Sequence, residues 1–150
     1  MARAGCQRPA AVTAAAVAGA GIVGGAVALA AAPSVADAVV LAVAVTIGAP
    51  SVVLGLLVAR RCPDNPVGAL LAAMGAVPCL IFGREVWSAA AARAPGTLPD
   101  SMVLVALEQG AWMWWYVPVA LLVLFFPDGR LPGPRWRWVA AGLPAVAITF

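Results

Sequence analysis

The chain has 150 residues, of which 64% are hydrophobic and only 10% charged, with a formal net charge of +3. Soluble domains carry about a quarter charged residues. A mean hydropathy of +1.01 leaves too little polar surface to cover such a domain, so the composition excludes that class and points to lipid as the solvent. The nine basic residues are all arginine and there is no histidine. That removes His-dependent triads, His-ligated haem or zinc, and a phospho-accepting histidine.

A hydrocarbon core of about 30 Å needs about 20 helical residues to cross it. Residues 10–32 meet this without a charge. Within them "GIVGG" sets Gly21 and Gly25 four apart, a spacing that lets two helices approach closely in a bilayer and that would suit a homodimer face. Arg3 and Arg8 precede the run and "ALAAAPSVADA" follows it, a layout shared with secretory signal peptides. The apolar stretch exceeds their usual length, which favours an uncleaved first span.

After the break "APSVADA", a second span is predicted over residues 38–59. Pro50 should kink it, with Ser51 placed to help satisfy the freed carbonyl. "RRCPDNPVG" follows as a compact turn, in which Pro66 suits the first turn of the next helix. The third span is predicted over residues 67–87, with Pro78 inside it and Arg84 and Glu85 marking its far end at an interface. "SAAAARAPGTLPDS" reads as a loop with room for a short interfacial helix, and Arg93 and Asp100 as ordinary loop charges. A fourth span is predicted over 102–126. A fifth, 138–150, has too few residues to cross, so the chain reads as a fragment. The fold class is therefore all-α, a polytopic transmembrane bundle of four full spans and an incomplete fifth.

Two groups of residues stand out as site candidates. Glu108 is the one acid placed within a span, which suggests a proton or cation relay. Counting back from Phe126 sets it at the edge of the hydrocarbon, where a carboxylate meets water. "WMWWY" reads either as an aromatic belt or as the wall of an apolar ligand pocket, with Trp112, Trp115 and Tyr116 on one helix face beside Glu108. The second group is "FFPDGRLPGPRWRWV". Pro127, Asp128 and Gly129 form a tight turn in which Asp128 can accept backbone hydrogen bonds and Gly129 can take positive φ. Arg130, Arg135 and Arg137 then lie at headgroup level, with Trp136 and Trp138 as anchors. The spacing of Cys6, Cys62 and Cys79 fits no metal site, no phosphate-binding glycine loop is present, and the arginines form no stripe for nucleic acid. No catalytic residue, cofactor or metal site is expected.

"RRCPDNPVGALLAAMG" and "LLVLFFPDGRLPGPRWRWVA" together resemble the N-terminal membrane region of actinobacterial sensor histidine kinases, over residues 60–82 and 119–141. The resemblance maps onto Asn65, Pro66 and Gly68 in one turn and onto Pro127, Asp128, Gly129 and Arg130 in the other. Cys62 departs from the pattern, standing where Arg or Pro is usual, and Ala69 where Trp is frequent. The family implies a cytoplasmic effector module beyond residue 150, where a dimerising helix with His and an ATP-binding domain would reside. Similar regions also occur without a kinase, so a stand-alone bundle or small transporter component is the alternative.

With the N-terminus inside, Arg3, Arg8, Arg60, Arg61, Arg130, Arg135 and Arg137 face the cytoplasm and Arg84 and Arg93 face outward. The positive-inside rule favours that orientation in the plasma membrane. The expected function is the membrane-embedded input or anchor region of a signal-transducing protein, with the lipid bilayer as its first partner.

Overall fold

In a computed structural model, which describes residues 7–99, 113–126 and 128–149, the chain is helical with no strand among the described residues. The helices are α1 (Gln7–Ala31), α2 (Val35–Arg61), α3 (Val67–Arg93), α4 (Met113–Phe125) and α5 (Trp136–Thr149). Three of them, α1, α2 and α3, are long and apolar enough to cross a membrane. Four full spans were expected. The predicted fourth, 102–126, is described only from Met113, as a helix of 13 residues, about 20 Å long at 1.5 Å per residue.

The helices also run further than the predicted spans. The break between α1 and α2 shrinks to three residues, because Ser34 caps α2 by accepting from the Asp37 backbone N–H at 3.4 Å. That hydroxyl satisfies a backbone donor left over at the helix start. At the other end of the next helix, "SAAAAR" is not a separate interfacial piece but the close of α3. Alanine has the highest helix propensity, and the helix stops only at "APGT". There Pro95 and Gly96 (φ +83°) make a turn closed by Thr97 N–H to the Ala94 carbonyl at 3.2 Å, the pattern of a type II turn.

Proline does not interrupt either long helix. Pro50 lies within α2 and Pro78 within α3. Pro50 frees the Thr46 carbonyl, yet the Ser51 hydroxyl donates to its neighbour, the Ile47 carbonyl, at 3.4 Å. The expected repair therefore falls one residue along. A serine hydroxyl on a helix reaches back to the carbonyl four residues before its own position.

The packing centres on α3, which has eleven buried residues against five on α1 and six on α2. Both of its seams are built from small residues. Towards α2, Gly68 faces Gly55 and Gly75 faces Gly48; a Cβ on Gly68 would stand 2.5 Å from Ala59 N, and one on Gly48 would stand 2.6 Å from the Gly75 carbonyl. Towards α1, Gly83 meets the Gly21 backbone, and a Cβ on Gly21 would stand 2.7 Å from Leu80 Cα. Distances of this kind are open to a Cα hydrogen and closed to a methyl group. Ala11, Ala18, Gly21, Gly25 and Ala28 on α1 complete a stripe. The Gly21–Gly25 face expected to suit a homodimer is thus used within the chain, against α3 and Leu41.

Buried and exposed residues are distributed opposite to a soluble core. Alanine and glycine lie inside, and the largest fully buried side chains are Val86, Pro78 and Cys79. Val23, Val27, Val39, Ile47, Val53 and Leu54 are exposed. Large aliphatic side chains on the outside fit a hydrocarbon solvent, where close van der Waals packing rather than water exclusion joins helices. Cys79 adds a weak bond in the α2–α3 seam, its thiol donating to the Ala44 carbonyl at 3.6 Å. Among the described residues, α4 packs on α3 and α5 on α4.

The seams make a direct prediction. Gly83→Ala and Gly55→Ala should each destabilise the detergent-solubilised protein by about 1–3 kcal/mol, the cost of overpacking. Gly19→Ala, at a glycine with nothing within 4 Å, should be neutral or stabilising because alanine favours helix. Thermal unfolding reads the difference, and equal melting of Gly83→Ala and Gly19→Ala would contradict the described packing.

Candidate functional site

The two turns singled out from the sequence lie together at one end of the bundle, where α2 ends and α3 begins. Pro66 has helical backbone angles and its carbonyl accepts from Leu70 N–H at 3.0 Å. It therefore opens α3 as expected. Asn65 caps that start, its side-chain oxygen accepting from Val67 N–H at 3.0 Å. Arg60 and Arg61 close α2 immediately before the turn, as cations do where a helix dipole presents its negative end.

The second turn lies against the first. Gly129 has φ +68°, and a Cβ there would stand 2.5 Å from Asn65 Oδ1 and 2.8 Å from Pro66 Cδ. Positive φ and close approach coincide at this residue. Its N–H donates to the Phe125 carbonyl at 2.7 Å, which is what closes the turn, while Asp128 is exposed. Arg130, Arg135, Trp136, Arg137 and Trp138 are all exposed around this turn and the start of α5. Pro127 lies outside the described residues. Gly68, expected in the first turn, belongs instead to the helix seam with Gly55 and Ala59, because α3 begins one residue before it.

At the opposite end, Arg93 has a structural role that its loop-like surroundings in sequence did not indicate. Its guanidinium donates to the Ala32 carbonyl at 3.2 Å and forms an ion pair with Asp37. One side chain on α3 thereby ties the end of α1 to the start of α2. Leu98 folds back beside it into a cluster with Ala28, Ala32, Leu41, Val86 and Ala90. The sequence signal for this is that the short break near Asp37 and the longer loop holding Arg93 fall at the same end of alternating spans.

Between the two ends, α1 and α3 leave an open cleft of about 220 Å³, lined by Ala20, Gly21, Gly24, Leu80, Gly83, Arg84 and Trp87. The absent side chain of Gly24, whose Cβ would meet only Trp87 Cε3 at 4.0 Å, leaves part of this space. Arg84 and Glu85, expected to mark the end of the third span, lie well inside α3, since the helix continues to Arg93. The Trp87 indole N–H is buried without a hydrogen-bond partner.

The aromatic pocket expected from the sequence is described only in part. Trp115 and Tyr116 are exposed on α4 with ring centroids 6.4 Å apart, whereas Trp112 and Glu108 lie outside the described residues. Cys62 is exposed and Cys79 buried, both as free thiols, and Cys6 lies outside the described residues. Among the described residues no three His, Cys, Asp or Glu side chains form a metal-binding group. No family model, curated protein or solved structure matches the chain.

Both ends can be tested by substitution. Gly96 and Gly129 both have positive φ, but only Gly129 meets a neighbour, Gly96 having nothing within 4 Å. Gly96→Ala should cost about 1–2 kcal/mol for left-handed backbone alone, and Gly129→Ala measurably more in the same thermal unfolding assay. Equal costs would mean that the two turns do not support one another. At the other end, a double-mutant cycle of Arg93→Gln and Asp37→Asn should give a coupling below about 1 kcal/mol, since the Arg93 side chain is 40% exposed and solvent screens such pairs. Arg93→Gln alone should cost more than Asp37→Asn alone, because it also removes the donor to Ala32; the reverse order would contradict the clip.

Proposed function

We propose that the chain is the membrane-embedded input or anchor region of a signal-transducing protein of the sensor histidine kinase type, resident in the plasma membrane with its N-terminus in the cytoplasm. The observation that supports this reading is the contact of Gly129 with Asn65 and Pro66. The two stretches that resemble the kinase membrane region are far apart in sequence and adjacent in space.

That adjacency gives the reading a physical route. The α2–α3 turn and the α4–α5 turn move as a pair, so a shift of α3 along or about its axis reaches α5 through Gly129. Helix displacements of one or two ångströms are a common means of passing a signal across a packed interface. In this reading the end holding Arg60, Arg61, Arg130, Arg135 and Arg137 faces the cytoplasm, and the Arg93–Asp37 clip faces outward. The predicted fourth span, 102–126, returns the chain across the bilayer. The chain has no histidine, so phosphotransfer belongs to residues outside it.

Two measurements test the proposal. Reporter fusions after Pro63 and Gly133 should report cytoplasmic and a fusion after Pro95 periplasmic; a cytoplasmic signal after Pro95 would reverse the orientation. Membranes containing the complete natural gene product, given ATP, should acquire an acid-labile phosphohistidine. A product that takes up no label would remove the kinase reading and leave a stand-alone bundle.

A further inference from the structure

An open cleft lies between α1 and α3. Its floor is Ala20, Gly21, Gly24 and Gly83, its walls are Leu80 and Trp87, and Arg84 is its one charged lining residue. At this floor the two helices are themselves in backbone contact through Gly21 and Gly83. The cleft is therefore a groove lying over the α1–α3 seam, and its lining is apolar except at one cation.

Its depth can be set by counting along α3. Leu80 lies thirteen residues beyond Val67, about 20 Å, and Trp87 lies twenty residues beyond, about 30 Å. A hydrocarbon layer of about 30 Å that begins where Arg60, Arg61 and Asn65 hold the chain ends close to Trp87. The floor of the cleft then lies among acyl chains. Arg84, about one turn below Trp87, can extend its guanidinium to the phosphate level along its aliphatic stem. Tryptophan at that boundary is at its preferred depth.

The size of the cleft narrows the class of occupant. Enclosed small-molecule sites run about 300–1,000 Å³, and this cleft is both smaller, at about 220 Å³, and open. It suits a single chain lying along a groove better than a compact ligand. We propose that the cleft binds one glycerophospholipid from the leaflet at the Arg93 end, an acyl chain resting on Gly21 and Gly24 and the phosphodiester held by Arg84. A guanidinium has five N–H donors, so it can take a phosphate alongside bonds within the protein. The proposal stands on membrane insertion and is independent of the signalling reading.

The probe is dioleoyl phosphatidylglycerol, titrated into the detergent-solubilised chain and counted by native mass spectrometry. The wild type should retain one lipid in preference to further ones. A Cβ at Gly24 would meet only Trp87 Cε3, at 4.0 Å, so Gly24→Leu can fill the cleft without striking backbone. Ala20→Leu fills it from an exposed position and serves where Gly24→Leu fails to fold. Both should lower retention of the first lipid by about tenfold, as should Arg84→Gln, which removes a charge-assisted bond. Gly19→Leu, on open surface, should behave as wild type. Unchanged retention in Ala20→Leu and Arg84→Gln would overturn the proposal. So would unchanged lipid retention combined with loss of self-association in those variants, which would assign the cleft to a second copy of the chain.

Discussion

The described structure depends on backbone meeting backbone. Along α3, Gly68, Gly75 and Gly83 each place their α-carbon against a carbonyl of a neighbouring helix, and Gly55, Gly48 and Gly21 answer from the other side. In water, two such helices would be drawn together by the large side chains between them. In lipid that drive is absent, because acyl chains are as apolar as leucine. What remains is dispersion, which is strong only when many atoms sit at contact distance. Removing side chains from the seam is the way to bring the most atoms that close, and Cα hydrogens directed at carbonyl oxygens add weak polar attraction.

From that constraint follows the sorting of residue sizes. Many of the valine, isoleucine and leucine side chains lie outside, where they meet lipid, and the seams hold mainly alanine and glycine, with Leu41, Val52 and Val86 among them. It also explains why α3 is central. Small residues recur around it on two faces, Gly68 and Gly75 towards α2 and Ala76 and Gly83 towards α1. One helix can therefore hold two partners, and an open cleft lies over the α1–α3 seam beside Arg84 and Trp87.

The two ends are fastened differently. At the arginine-rich end, turn meets turn through Asn65, Pro66 and Gly129, a contact of backbone and short side chains. At the other end, one long side chain, Arg93, reaches a carbonyl and a carboxylate across three helices. A partly exposed ion pair of that kind is worth little energy, and its value is in setting the register of α1, α2 and α3.

Taken alone, the sequence determined the helical class and the solvent, because hydropathy and charge depend on composition and not on packing. It also marked two of the turns, since Pro66 and Gly129 state their backbone geometry locally. Helix limits were less legible: "SAAAAR" lacks the apolarity of a span but has the propensity of a helix, and propensity prevailed. The role of Arg93, the cleft, and the use of Gly21 and Gly25 within the chain were decided only by the tertiary structure. Each depends on which faces of α1, α2 and α3 turn towards one another. In helices apolar on every side, no stripe of polarity records that choice, and only the fit of glycine against carbonyl settles it.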